Sequence, residues 1–221
     1  MALGGVIFDW DGVVINSASL HEKSWEMLAN ELGLGLPADH FVLGFGKRNE
    51  IIIPQILKWT QNKDEISLWG KRKEELYRDL GKAEGIPILE GVRTLLQSLA
   101  REEIPCVIGT STEKNNLSLA FEQLKIGHFF SGSVCSEDVT RGKPDPEVFL
   151  KAAQIINQAP ENCVVLEDST HGIEAAISGG MKALGLSTTR TETELFASGA
   201  HKVVTDPTMV NISLLNSLFI N

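Results

Sequence analysis

The sequence predicts an α/β fold: a parallel sheet core with helices on both faces, interrupted by an inserted all-helical unit. Three observations predict it. The chain opens on a short apolar run, Val6-Ile7-Phe8, closed by Asp9-Trp10-Asp11-Gly12-Val13. From Asn16 to about Gly85, apolar residues recur at helical spacing and no convincing strand appears. From Pro87 onward, short apolar runs alternate with amphipathic stretches, as right-handed crossovers in a mainly parallel sheet require. The expected division is a core of residues 1–15 and 86–221 with an insert of residues 16–85.

The first run is β-branched and aromatic, and short enough for a buried strand. Side chains two residues apart on a strand share a face, so Asp9 and Asp11 are expected to reach into one small volume. Like charges that close resist joint ionisation unless a cation or a shared proton relieves them. Trp10 points the other way and reads as core. In the insert, Ser17 to Gly33 carries Leu20, Trp25, Leu28 and Leu32 near the helical period, with Gly33 as terminator. Asn49 to Thr60 contains Pro54, which predicts a kink or a broken helix. Asp64 to Leu80 is amphipathic, and its basic run Lys71-Arg72-Lys73 reads as a solvated face. After the insert, helices are expected at 92–102, 113–124, 146–157, 170–178 and 192–198. Strands are expected at 105–109, 132–135, 163–166, 182–186 and 202–205.

Composition narrows the function. A net charge of −9 argues against a nucleic-acid binder, because phosphate backbones demand clustered Lys and Arg. No apolar run is long enough to span a membrane, and no basic-then-apolar leader precedes the first strand. Cys106, Cys135 and Cys163 each lie in apolar stretches without metal-ligand spacing, which points to free thiols in a reducing cytoplasm.

In such a sheet, ligands bind beyond the carboxyl ends of the strands. Those ends carry Asp9 and Asp11, then Thr110-Ser111-Thr112, then Lys143 in RGKPDP, then Glu167-Asp168. Each has a plainer reading. The hydroxyls can cap the following helix, Lys143 can be one surface lysine among many, Glu167 and Asp168 can cap the helix at Thr170, and His171 reads as a helix-end residue. Their succession in this order is what carries weight. Carboxylate oxygens suit a magnesium ion, and a carboxylate nucleophile beside that ion, with a lysine and a hydroxyl to hold an anion, fits phosphoryl transfer through an aspartyl phosphate.

These motifs resemble those of the haloacid-dehalogenase-like hydrolase superfamily, over essentially the whole chain. All four motifs have a counterpart: Asp9-Trp10-Asp11-Gly12-Val13, Thr110, Lys143 in GKPDP, and Glu167-Asp168 in VLEDSTHGI. The resemblance implies a Rossmann-like core with an inserted α-helical cap domain. It implies Asp9 as nucleophile and Asp11 as general acid/base, with Thr110, Ser111 and Lys143 on the phosphoryl group. It also implies a magnesium site made by Asp9, the backbone carbonyl of Asp11 and Asp168, supported by Glu167. Dehalogenating members lack the second aspartate, so Asp11 favours phosphate chemistry. A cap lysine acting as a Schiff base, as in phosphonate-cleaving members, has no recognisable motif at Lys47 or Lys58.

The expected activity is a magnesium-dependent phosphatase acting on a small phosphomonoester, with no nucleic-acid or membrane partner and a monomeric state. The nearest rival is a β-phosphoglucomutase-type mutase. Ser17 and His21 match positions where that enzyme carries a hydroxyl and a histidine, and Lys47 or Arg48 would grip a distal phosphate. The stretch Gly44-Phe45-Gly46-Lys47-Arg48 departs from the mutase's Gly-x-x-Arg spacing. A catalytically silent binding module is the third reading, and the intact motifs speak against it.

Overall fold

A computed structural model describes residues 2–220. Six parallel strands form one sheet, β1 (Gly5–Phe8), β2 (Cys106–Gly109), β3 (Ser133–Val134), β4 (Cys163–Glu167), β5 (Lys182–Leu186) and β6 (Lys202–Val204). Their order is β3-β2-β1-β4-β5-β6, so β1 lies centrally and the direction of winding reverses beside it. Val6 pairs with Cys106 on one side and Val164 on the other, with both ladders parallel. Every residue of β1, β2 and β4 is buried, as a sheet covered on both faces requires.

Strand alternation divides the core into two layers. Val6, Phe8 and Trp10 face a cluster with α5 (Val92–Arg101), α6 (Lys114–Leu124) and α10 (Ile212–Ser217). Ile7, Val107 and Val165 face α7 (Glu147–Ile155), α8 (Thr170–Ser178) and α9 (Glu192–Ala197). Trp10 is fully buried, edge-on to Phe121 and Phe130, in keeping with a packing role.

Four helices lie between β1 and α5: α1 (Ala18–Leu32), α2 (His40–Gly44), α3 (Asn49–Ile51) and α4 (Lys63–Glu84). Trp25, Leu28, Ile52, Ile53, Leu57 and Leu76 make a cluster of their own among them. Gly33 ends α1 at φ 67°, and the Asn62 side chain caps α4 by accepting from the backbone of Asp64 and Glu65. Around Pro54, which cannot donate to a helical ladder, Ile52–Leu57 widens into a π-helical turn rather than a simple kink. The short helix α2 carries no periodic signal long enough to read, and α10 lies beyond the last strand expected from sequence.

The chain enters and leaves this helical stretch side by side. The Asn16 N–H donates to the Pro87 carbonyl at 2.8 Å, and the Leu89 N–H donates to Val14 at 3.0 Å. Among the described residues, no helix is long and apolar enough to cross a membrane.

Candidate active site

The carboxyl ends of the strands converge as expected, but Asp9 and Asp11 part company there. Lys143, on the loop before α7, donates to Asp9 Oδ1 at 2.8 Å and to Glu167 Oε1 at 2.6 Å. That loop is shaped by Glu147, whose carboxylate accepts from the backbone of Thr140 and Arg141. The second Glu167 oxygen accepts from the Ser169 N–H at 2.7 Å, and Asp168 accepts from the Thr189 hydroxyl at 2.6 Å. Helix α8 is capped by Ser169, not by either acid.

Asp9, Glu167 and Asp168 are all buried, with one oxygen of each lying within 4.8 Å of the others. One ammonium serves three acids, and the imbalance shows in the titration of Asp9 and Asp168. Burial, with repulsion from Glu167 and Asp11, lifts Asp9 to about 7 despite Lys143. Burial, with repulsion from Glu167 and Asp9, pushes Asp168 well above the carboxylate range. Lys143 moves up, because attraction to Asp9 and Glu167 outweighs the burial that would lower it. Hard oxygen donors carrying surplus negative charge are what a divalent cation such as magnesium takes, so the residues fit that ion. The Asp11 carboxylate, expected from sequence to share this volume, is not part of the cluster.

Asp11 instead turns toward α1. Ser17 donates to its Oδ1 at 2.5 Å, His21 Nε2 lies 3.3 Å from the same oxygen, and Thr112 donates to Oδ2. Burial would raise this carboxyl, but the hydrogen bonds from His21, Ser17 and Thr112 hold it at about 2. Gly12 allows the turn at φ 76°, and a Cβ there would sit 1.9 Å from Asp168 Oδ2, so the position tolerates no side chain. Ser17, expected to meet substrate, is fully buried and committed to Asp11.

Lys73 corrects the sequence reading most. Expected on a solvated face, it is 2 % exposed and its ammonium stands 2.6 Å from His21 Nδ1 and 3.0 Å from Glu74. An ammonium only donates, so Nδ1 must accept, and Nε2 carries the hydrogen that faces Asp11. Glu74 in turn accepts from Asn49 at 2.8 Å and from Asn116, at the start of α6, at 2.6 Å. Burial would raise Glu74, but the Lys73 ammonium and the two amides bring it to about 2. Nearby Glu113 is lifted to about 7 by burial and by repulsion from Glu74 and Glu137.

That shift has a measurable sign. A carboxyl raised in the fold adds stability below its ordinary pKa and loses it as pH climbs through about 7. Glu113→Gln is therefore expected to leave Tm unchanged near pH 4 and to raise it by a few degrees at pH 8, as thermal scans would show. A larger gain near pH 4 would contradict this account.

Two chambers open beside these groups. The first, of about 90 Å³, is lined by Asp11, His21, Lys73, Glu74 and Glu113 together with Trp25, His40 and Phe45, among others. That is several times the space one water needs. The second, of about 500 Å³, is lined by Lys143, Thr140, Gln55 and His171. Ser111, Lys47 and Arg48 border both. Arg48 lies 3.6 Å from Glu50, while Lys47 donates to the Leu43 carbonyl at 2.9 Å. Burial and then Arg190 lower the Lys47 ammonium. Thr110 is buried, its hydroxyl accepting from the Thr112 N–H at 3.1 Å.

Sequence reasoning did not single out Lys73, Glu74 or Thr189 for this site, and it gave Thr112 only as one of the strand-end hydroxyls, not as a partner of Asp11. Lys73 had a signal, lying three residues after Gly70 and four before Tyr77 on the buried stripe of α4. Thr189 had none.

Comparison with known proteins agrees with the motifs. The profile of the haloacid dehalogenase-like hydrolase family matches residues 6–186. The chain is 36% identical over 197 residues to the chloroplastic 5-amino-6-(5-phospho-D-ribitylamino)uracil phosphatase of Arabidopsis thaliana. That match covers 88% of this chain and 52% of the relative, so the chain spans about half of that protein's length. It is 30% identical over 188 residues to a β-phosphoglucomutase of Bacillus subtilis, covering 82% of each. A HAD hydrolase of family IA, variant 3, from Entamoeba histolytica has the same fold, with a TM-score of 0.89, 27% identity, and 98% and 99% of the two chains covered.

Proposed function

The chain belongs to the haloacid dehalogenase-like hydrolase family, and from that premise we propose that it hydrolyses a small phosphomonoester, such as a sugar phosphate, through an aspartyl phosphate. The observation that carries the reading is the division of labour between two acids on one strand end. Asp9 lies against Lys143 and the buried carboxylates, while Asp11 is held apart by Ser17, Thr112 and His21.

In this reading an Asp9 oxygen attacks phosphorus and the bond to the leaving oxygen breaks. Asp11 gives that oxygen its proton. Water then attacks phosphorus, Asp11 takes the proton back, and Asp9 is freed as carboxylate. An acid held at about 2 must first gain a proton. A dianionic phosphoryl group arriving beside it supplies the like charge that raises it. Lys143, Thr110 and Ser111 hold the phosphoryl oxygens. Magnesium, held by Asp9, Asp168 and the Asp11 carbonyl with Glu167 in support, supplies charge neutralisation when bound. Residues 16–85 act as a cap that closes over the leaving group and excludes bulk water.

Asp11→Asn is expected to lower kcat for an alkyl phosphate by about 10²- to 10⁴-fold, the usual contribution of a positioned acid. In kcat/KM, which reports only the first half-reaction, the loss for p-nitrophenyl phosphate should be much smaller than for the alkyl ester, since nitrophenolate departs without a proton. Equal losses in kcat/KM for both esters would remove Asp11 as the acid that protonates the leaving group.

The β-phosphoglucomutase relative keeps one rival in view. Arg48, which would have to grip a distal phosphate, already has a carboxylate neighbour in Glu50 at 3.6 Å, which favours water as acceptor. Incubation with β-glucose 1-phosphate, magnesium and a trace of the bisphosphate is expected to release inorganic phosphate. Accumulation of glucose 6-phosphate instead would establish the mutase.

A further inference from the structure

We propose that Thr189 is a positioning residue for the divalent cation, its hydroxyl holding the Asp168 carboxylate where that acid ligates the ion. The inference deepens the magnesium reading of the acid cluster and rests on it. Asp9, Glu167 and Asp168 bring one oxygen each within 4.8 Å of the others, but they are held there unequally. Lys143 bonds Asp9 and Glu167, and the Ser169 N–H takes the second Glu167 oxygen. Asp168 is just as deeply buried, at 2 % exposed. Among the described residues no cation is bonded to it, and its carboxylate accepts a single hydrogen bond, from the Thr189 hydroxyl to Oδ2 at 2.6 Å. The same hydroxyl stands 3.0 Å from the Asp168 backbone carbonyl, the longer of its two contacts.

Thr189 can act as a fixed point because its own loop is fastened on three sides. Toward the sheet, the Ser187 N–H donates to the Val204 carbonyl of β6 at 2.9 Å, and the Ser187 hydroxyl donates to the Arg190 carbonyl at 2.7 Å. Toward β1, the Thr188 hydroxyl donates to the Gly12 carbonyl at 2.6 Å. Toward the helical insert, Arg190 donates to the Val42 carbonyl at 2.6 Å. A Cβ on Gly12 would meet Asp168 Oδ2 and then, at 3.2 Å, Thr189 Cγ2, so this oxygen is wedged between the Gly12 turn and Thr189. Against that hold stands repulsion from two neighbouring acids, which favours a carboxylate turned away from them. A ligand fixed before the ion arrives spares the ion the cost of ordering it, and partners of this kind set metal affinity. Thr189 thus acts on the ion through Asp168.

The experiment measures magnesium binding by calorimetry, without substrate, at a temperature where circular dichroism shows each variant folded. Thr189→Val keeps the branched shape and removes the hydroxyl. It is expected to weaken magnesium binding about 10- to 100-fold. Thr189→Ser returns the hydroxyl and should hold the affinity within about threefold of wild type. The magnesium concentration for half-maximal turnover of p-nitrophenyl phosphate should rise in the same proportion, with kcat at saturating magnesium little changed. A purely structural role gives a different result: Thr189→Val melts lower without metal yet binds magnesium as wild type does. That outcome, or equal weakening in Thr189→Ser and Thr189→Val, would overturn the proposal. No magnesium binding by wild type would instead remove the magnesium reading itself. Metal-free crystal structures then decide whether Thr189 places Asp168. A carboxylate turned aside in Thr189→Val but not in Thr189→Ser supports the assignment, and one position in all three proteins refutes it.

Discussion

Asp9→Asn is expected to lose at least about 10³-fold in phosphatase turnover, the scale seen when a covalent nucleophile is removed, while remaining folded. The fold should tolerate the change because the structure already disfavours the charge. Burial and two neighbouring acids hold this carboxyl near 7. A neutral amide of the same shape relieves that repulsion. The stability cost of a carboxyl raised in the fold is absent below its ordinary pKa and fully present above about 7. In metal-free buffer at pH 8 the variant should therefore melt no lower than wild type, and any advantage should shrink as pH falls from about 7 toward 4. Steady-state kinetics on p-nitrophenyl phosphate and paired melting curves test both halves. A folded variant with wild-type turnover would refute the nucleophile assignment.

Lys143→Met is expected to cost both activity and stability. Among the described residues the ammonium is the single cation bonded to Asp9 and Glu167, and it also lies 4.8 Å from the centre of the Phe149 ring. Removing one partner from a buried ion pair costs about 3–5 kcal/mol, because the remaining charges have nowhere to go. For a domain of this size that is a fall of roughly 6–20 °C in Tm. The acids left behind would take up protons, so the loss should be smallest at pH 5 and grow toward pH 8. Added magnesium should recover part of the stability and little of the turnover, since the phosphoryl group would still lack its lysine. A variant as stable as wild type at pH 8 without metal would contradict the cluster as described.

Much of this was legible because two different periods mark two different layers. Short apolar runs closed by acids or hydroxyls located every strand end, and Asp9, Lys143, Glu167 and Asp168 met as the alternation implied. The cap side was less legible for a physical reason. A lysine reads as solvated unless its partners are known, and those of Lys73 come from three separate places: His21 on α1, its neighbour Glu74, and, through Glu74, Asn116 on α6. Asp11 and Asp9 share a strand face, yet Gly12 and the donors from α1 draw Asp11 away from the acid cluster. Spacing conveys which face a side chain occupies and not which neighbour captures it. Thr189 binds Asp168 from a loop after β5 with no motif of its own.

The paired connection at Ile15 and Ile88 has a consequence for how such proteins diversify. Because the outgoing and returning chains are hydrogen-bonded neighbours, whatever is strung between them meets the sheet at a single doorway. An insert can grow, shrink or be exchanged without rethreading a strand or reordering the sheet. Chemistry and substrate choice then evolve as separable modules, one written in strand ends and the other in a replaceable loop of helices. A graft that joins another protein's helical insert at these two residues should keep the reaction and change the molecule it acts on.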